Sequence, residues 1–140
     1  MILTLWDIEN VSFTYLKENF SDFIDNKYFI HNDKNIPIKE NKRNFLLNNN
    51  WIYISVKPGK DSADFKIQSI IKNKIKIVEE INLITSDNGF SDIILFVIKN
   101  KIKINLYTKR SSDKLLNKIY NKFYVKNTEN INQYLNIIYL

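Results

Sequence analysis

The stretch INLITSDNGFSDIILFVI, residues 81–98, joins a predicted buried strand to a predicted amphipathic helix. Its first four residues are mostly apolar, which is typical of a strand buried on both faces. From Phe90 onward the apolar residues recur every three or four positions, which is the spacing of one helix face. Because strand–turn–helix units of this kind build parallel sheets, the stretch predicts an α/β fold.

The same alternation of strand and helix patterns continues on both sides of this stretch. Further strands are predicted at residues 1–7, 27–31, 51–56 and 101–108, and further helices at 13–24, 45–47, 62–78 and 112–120. The polar–apolar alternation of 101–108 is typical of a half-exposed edge strand, and 131–140 has a weak helical pattern. We therefore expect one α/β/α domain over residues 1–140, with three layers, a C-terminal helix and a mainly parallel sheet of about five strands.

Composition and charge exclude several classes of protein. The 140 residues are 44% hydrophobic, which is too apolar for a disordered chain. The absence of Cys excludes disulfides, zinc ribbons and thiol catalysis, and a single His excludes His-rich metal sites. No apolar run approaches the ~20 residues that a membrane span needs, so we expect no membrane association and a cytoplasmic protein. The net charge of +6 favours an anionic partner such as a nucleic acid.

Three Asp residues are predicted at one edge of the sheet. Asp7 and Asp87 each end a predicted strand, and Asp64 begins the helix that follows 51–56. Right-handed crossovers place the carboxyl ends of parallel strands at one edge, where open sheets bind ligands. Clustered carboxylates repel one another unless a cation neutralises them, and oxygen-only clusters suit Mg²⁺ or Mn²⁺. The alternative is that each Asp is a turn former or a helix cap.

Basic residues follow strands at the same predicted edge and could hold the phosphates of a nucleic acid. These candidate substrate-binding residues are Lys57, Lys60, Lys109 and Arg110. Two other side chains have alternative interpretations. Asp61 lies one helical turn before Asp64 and could support a metal site, although a helix cap is the simpler interpretation. Tyr107 could stack on a base, but packing between strands is its default interpretation.

Three segments of the chain resemble the NYN domain, a branch of the PIN-like nucleases. They are WDIEN at residues 6–10, KDSAD at 60–64 and TSDNGF at 85–90, and the first is similar to NYN domains of the meiosis-arrest/limkain type. The resemblance runs in order from residue 1 to about 110. It implies a PIN-like sheet with strand order 3-2-1-4-5 and RNA cleavage that depends on Mg²⁺ or Mn²⁺.

The resemblance also implies roles for particular residues. Asp7, Asp64 and Asp87 would carry the metal site, and Asn10 would orient a carboxylate or the substrate. Many relatives have a second acid two residues after the one that matches Asp87, where this chain has Gly89. Asp92, in the first turn of the next helix, is predicted to take its place as a fourth catalytic and metal-binding acid.

The leading hypothesis is a metal-dependent endoribonuclease, and three others stay open. The first is a PIN-like module that binds RNA with little or no catalytic activity. The second is a receiver-like phosphate-handling domain, which the lack of paired acids at the end of the first strand disfavours. The third is a basic protein-interaction partner. A homodimer through the predicted edge strand 101–108 is also open.

Overall fold

A computed structural model of the chain describes residues 1–32, 38–59, 61–126 and 129–140. In the described residues, six strands pair in parallel in one sheet with the order β3-β2-β1-β4-β5-β6. The strands are β1 (Ile2–Asp7), β2 (Lys27–His31), β3 (Trp51–Ser55), β4 (Glu80–Ile84), β5 (Lys103–Thr108) and β6 (Leu135–Tyr139). The predicted order of the first five strands is confirmed, and a sixth strand extends the sheet.

Among the described residues, five α-helices cover the two faces of this sheet. They are α1 (Phe13–Leu16), α2 (Glu40–Asn48), α3 (Ser62–Lys74), α4 (Ser91–Lys99) and α5 (Asp113–Lys126). One core joins Leu3 and Leu5 of β1 to apolar residues of α3, α4 and α5, while the other joins Trp6 of the same strand to α1 and α2. The predicted α/β/α layering is therefore confirmed. Among the described helices, none is both long and apolar enough to cross a membrane.

The strand order reverses between β1 and β4, which are neighbours in the middle of the sheet. From β1 the chain builds outward through β2 to β3, and it then returns to β4 and builds outward through β5 to β6 on the other side. Trp6 of β1 pairs in register with Ile84 of β4. The connections after these two strands leave in opposite directions, which opens a crevice at their carboxyl ends.

The prediction that residues 101–108 form a strand at the edge of the sheet is wrong. β5 lies between β4 and β6. Its polar side chains contact neighbouring strands: Lys103 pairs with Glu80 of β4 at 3.4 Å, and Asn105 belongs to a ladder of side-chain amides. Asn105 donates to the Oδ1 of Asn82 at 2.8 Å and accepts from Asn136 at 3.3 Å, while Asn82 donates to Thr4 at 3.1 Å. The alternation thus reflects polar contacts between strands. Since β5 is paired on both sides, it offers no free edge for the predicted homodimer.

The last segment also differs from its prediction. Residues 131–140 form a 3-10 turn at Ile131–Gln133 and the strand β6, so the predicted C-terminal helix is wrong. Leu135 of this strand is buried against the core of the α3–α5 face. The apolar pattern of this short segment fits either a helix or a strand. In the structure it forms a strand, which pairs with β5.

The predicted helix at residues 13–24 is wrong in its length. α1 ends after one turn at Leu16, and a 3-10 helix continues over Lys17–Asp22. Ile24 is 76% exposed and does not belong to a buried helix face. The aromatic residues of this segment instead pack around Trp6 and Trp51, with Phe20 at 5.8 Å from the Trp51 ring. Packing of these large rings therefore outweighs helical periodicity.

Candidate metal centre

Asp7, Asp64 and Asp87 line one cleft of about 150 Å³, together with Asp61, Glu9 and Asn10. Asp7 is the last residue of β1, and Asp87 follows β4, so the crevice at the strand reversal brings both to the same place. Asp64 comes from the first turn of α3. The expectation that three separate elements deliver carboxylates to one edge of the sheet therefore agrees with the structure.

The carboxylates of Asp61, Asp64 and Asp87 are close enough to share one cation. One oxygen from each residue lies within 4.8 Å of the other two. Ligands on opposite sides of an ion at about 2.0–2.6 Å stand about 4–5 Å apart, so this spacing matches a single Mg²⁺ or Mn²⁺. An all-oxygen set of ligands is also the chemistry that these ions prefer. The residues present therefore fit a divalent metal ion.

Asp7 lies outside this trio, at the buried floor of the cleft. Its side chain is 3% exposed, and its Oδ2 accepts a hydrogen bond of 3.2 Å from the Thr85 hydroxyl. The pKa of Asp7 is raised from 3.8 to about 7, mainly by burial and also by the negative charges of Glu9 and Asp87, against the opposing effect of the Thr85 hydrogen bond. The charge of Asp7 is therefore costly unless a cation lies nearby.

The pKa of Asp64 is also raised. Burial, together with the charges of Asp87 and Asp7, raises its pKa from 3.8 to about 8. A hydrogen bond between the carboxyl groups of Asp64 and Asp87 also favours the protonated form of Asp64, which is then the donor. Two acids whose pKa values are raised towards neutral pH by burial and by neighbouring negative charges indicate a site suited to a divalent ion.

Asn10 links the two loops that carry the acids. Its Oδ1 accepts a hydrogen bond of 2.6 Å from the backbone N–H of Ser86, next to Asp87. The backbone N–H of Asn10 donates to the backbone carbonyl of Asp7 at 3.1 Å. Of the two roles expected for Asn10, this geometry favours the orientation of a carboxylate.

We expect Asn10→Ala to lower the free energy of unfolding by about 1–3 kcal/mol, because the Ser86 N–H loses its acceptor. The change should be measured by urea unfolding at constant pH. Asn88→Ala is a matched control in the neighbouring turn, since the Asn88 amide only accepts a 3.4 Å bond from the exposed Lys118. Equal stability of Asn10→Ala and the wild type would show that this bond does not hold the loops together.

Asp61 belongs to the acid trio, which the sequence did not favour. It occupies the N-cap position of α3, but its side chain makes no capping hydrogen bond. Its backbone is left-handed, with φ of 63°, a conformation that Asp tolerates better than most residues at a cost of roughly 1 kcal/mol or more. The spacing of three residues to Asp64 was the available signal, since it places both on one side of a helix turn.

Asp92 does not lie in the cleft. Its side chain is 80% exposed, and its Oδ1 accepts a hydrogen bond of 2.7 Å from Lys122 of α5. Asp92 must therefore be removed from the predicted catalytic and metal-binding acids. Gly89, in contrast, lies at the acids: a Cβ built on it would stand 3.3 Å from Oδ2 of Asp64 and 3.3 Å from Oδ1 of Asp87.

The predicted substrate-binding residues differ in their placement. Lys57 is exposed in the loop that follows β3. Lys109 and Arg110 follow β5, and each places its cationic group over an aromatic ring. Lys60 lies outside the described residues.

Glu9, which lines the cleft, and Tyr107, whose side chain lies towards the other end of the strands, both have structural partners. An oxygen of Glu9 accepts a hydrogen bond of 2.8 Å from the Asn32 backbone and lies 3.3 Å from Nδ1 of the buried His31. Glu9 thereby ties the end of β1 to the end of β2. Tyr107 is 6% exposed and packs edge-on against Phe23 at 4.9 Å, so it is not available to stack on a base.

Comparisons with known proteins support the fold without adding a function. A crystal structure of a protein of unknown function from Vibrio parahaemolyticus is similar to this chain, with a TM-score of 0.65 over 84% of this chain and 87% of that one. The two sequences are 16% identical, so the likeness concerns the fold alone. Neither the models of protein families nor the curated proteins give a match. The fold and the site together define a parallel α/β/α protein with an acidic cleft at its strand reversal.

Proposed function

We propose that this protein is a metal-dependent endoribonuclease of the NYN type within the PIN-like nucleases. The observation that carries the proposal is the convergence of Asp61, Asp64 and Asp87 within 4.8 Å of one another, above the buried Asp7. The three segments that resemble the NYN domain lie far apart in sequence, yet a residue from each lines this one cleft. The net charge of +6 suits a polyanionic substrate.

The roles of the residues follow from their positions. Asp61, Asp64 and Asp87 would hold Mg²⁺ or Mn²⁺, and such an ion polarises a phosphodiester and lowers the pKa of water. Asp7 adds negative charge from the floor of the cleft and thereby favours occupancy by a cation. Lys109 and Arg110 would bind backbone phosphates on one side of the bond that is cut, towards β5 and β6. Asn10 keeps the loops of Asp7 and Asp87 in register.

The test of this function is cleavage of end-labelled RNA by the purified full chain. Products should appear with Mg²⁺ or Mn²⁺ and disappear when EDTA removes the metal. Parallel reactions with DNA of the same sequence that contains deoxyuridine in place of thymidine would show whether the 2′-hydroxyl matters, because it alone then distinguishes the two substrates. Failure to cut single-stranded or structured RNA with either metal would contradict the proposal.

A second candidate function is RNA binding with weak or no catalysis. The observations that favour it are Gly89 in the place of a fourth acid and the outward position of Asp92, which pairs with Lys122. Fewer carboxylate ligands weaken the binding of a divalent ion. Salt-sensitive RNA binding that is unaffected by metal would support this candidate.

We expect Gly89→Asp to raise the affinity for Mn²⁺ by about tenfold, because a fourth carboxylate then joins the cluster. The Cβ at this position would already lie 3.3 Å from two of the acid oxygens. Calorimetric titration of Mn²⁺ measures the change, and Asn88→Asp is the matched control that adds the same charge one residue away. Equal gains in both variants would mean that general charge, and not a new ligand, causes the effect.

A further inference from the structure

Two pairs of basic and aromatic side chains lie beside the acidic cleft. The Nζ of Lys109 is 5.2 Å from the ring centre of Tyr15, and the guanidinium of Arg110 is 5.6 Å from the ring centre of Tyr139. Both distances are within the range of a cation–π contact, which extends to about 6 Å. Each pair therefore combines a positive charge and an aromatic ring at one place on the surface.

Hydrogen bonds connect the first pair directly to the cleft. The N–H of Lys109 donates to the Ser86 hydroxyl at 2.8 Å, and the N–H of Ser86 donates to Asn10, which lines the cleft. The second pair lies one strand further out, because Tyr139 of β6 is in register with Thr108 of β5. With strands about 4.8 Å apart, β6 lies about 10 Å beyond β4. Both pairs thus lie on the β5–β6 side of the acids, but Tyr15 is on the α1 face of the sheet and Tyr139 is on the α5 face, near Tyr120.

Both rings are accessible to a ligand. Tyr15 is 48% exposed and Tyr139 is 45% exposed. Proteins that bind single-stranded nucleic acids combine positive charges that contact phosphates with exposed aromatic rings on which bases stack. Bases in a duplex are already stacked and paired, so exposed rings of this kind favour unpaired bases.

We propose that Tyr15, Lys109, Arg110 and Tyr139 form a binding track for single-stranded RNA, which leads from the acidic cleft across the ends of β5 and β6. The choice of RNA as the ligand rests on the proposed function, whereas the placing of the track rests on the two pairs themselves. The tyrosines stack on bases, and the cations bind the phosphates between them. The sixth strand is essential to this track, since it supplies Tyr139.

The other end of β5 provides a matched control. Lys101 precedes this strand, and its Nζ lies 5.7 Å from the ring centre of Tyr134. This contact is of the same kind, but it belongs to the opposite edge of the sheet. For the tyrosines, the control is Tyr124 of α5, which is 51% exposed and packs beside Tyr120.

The experiment is fluorescence anisotropy of labelled oligouridine with the full chain in EDTA, where metal-dependent cleavage cannot occur. Tyr15→Ala and Tyr139→Ala should each raise Kd by about 5- to 100-fold, as loss of a stacking platform does. Lys109→Gln and Arg110→Gln should each reduce the slope of log K against log salt by about 0.7, the value for one phosphate contact on a single strand. Tyr15→Phe and Tyr139→Phe keep the ring and should bind like the wild type.

Lys101→Gln and Tyr124→Ala should leave the affinity unchanged. Duplex RNA should bind with an affinity that neither tyrosine alters. Wild-type affinity in Tyr15→Ala and Tyr139→Ala, or an equal loss in Tyr124→Ala or on the duplex, would overturn the track. A protein that binds through these residues but never cuts RNA with metal would retain the track and lose the nuclease. A protein that cuts RNA without needing the two tyrosines would show the reverse.

Discussion

Asp64→Asn should reduce the rate of metal-dependent RNA cleavage by at least about 100-fold, a loss comparable to removal of one key stabilising group from an active site. Asp64 is the central member of the acid trio, since its carboxyl group is hydrogen-bonded to Asp87 and feels the charges of both Asp87 and Asp7. Asn has nearly the same shape but no negative charge. The substitution therefore removes a charged metal ligand while a side chain of nearly the same shape stays in the cleft.

Single-turnover cleavage with saturating Mn²⁺ is the measurement for this prediction. Asp92→Asn is the matched control, because it removes the same charge from an exposed residue that pairs with Lys122 outside the cleft. It should cut RNA at the wild-type rate. Equal losses in the two variants would place the metal-binding acids elsewhere, and full activity in Asp64→Asn would remove the trio from the mechanism.

The same substitution should make the metal-free protein more stable at alkaline pH. The pKa values of Asp7 and Asp64 in the folded chain are about 7 and about 8, against 3.8 for an ordinary Asp. Between about pH 4 and pH 8 the folded protein therefore keeps protons that the unfolded chain has released, so a rise in pH favours unfolding. For Asp7 alone, the difference corresponds to roughly 4 kcal/mol. The loss of stability is complete once the pH exceeds both folded values.

Asn at position 64 cannot ionise, and its amide can still donate to Asp87. We expect Asp64→Asn and the wild type to have similar Tm values near pH 4 in EDTA. At pH 8 the variant should melt roughly 5 °C or more above the wild type, given the usual relation between free energy and Tm in domains of this size. Differential scanning calorimetry across this pH range measures the gap. A gap that is constant with pH, or that favours the wild type at pH 8, would contradict the raised pKa of Asp64.

Added Mn²⁺ should reverse this order of stability. The ion binds the folded wild type and not the unfolded chain, so it raises the Tm of the wild type. Asp64→Asn should gain little, because it has lost a ligand. The acid cluster would then be an example of a site whose charge costs stability in the absence of its ligand.

The elements that sequence patterns predicted well are those whose periodicity comes from burial in a single environment. The strand at residues 27–31 has its predicted bounds, and the helix from Phe90 differs by only one residue at its start. The meeting of Asp7, Asp64 and Asp87 was also predictable, because parallel strands and right-handed crossovers fix which ends of the elements share an edge.

The errors arose where contacts between distant segments decide the structure. The amide ladder through Asn105 mimics the alternation of an edge strand, and β6 pairs with the side of β5 that faces away from β4. The direction of Asp92 depends on Lys122, which lies 30 positions later in the chain. No local pattern contains that information.

The place of Asp61 in the acid trio could not be predicted for a different reason, which is its backbone geometry. Its φ is left-handed, its side chain makes no capping hydrogen bond, and its carboxylate lies with those of Asp64 and Asp87. The pairs of Tyr15 with Lys109 and of Tyr139 with Arg110 could not be predicted either, since each joins residues from separate elements. Their formation depends on the three-dimensional arrangement of the strands, which no single segment of the sequence contains.

The most direct test of the metal-dependent site is calorimetric titration of Mn²⁺ into the metal-free full chain, carried out on the wild type, Asp64→Asn and Asp92→Asn. We expect saturable binding to the wild type and to Asp92→Asn, and loss of that binding in Asp64→Asn. Saturable binding that survives in Asp64→Asn, or no saturable binding to the wild type, would contradict a metal centre in this cleft.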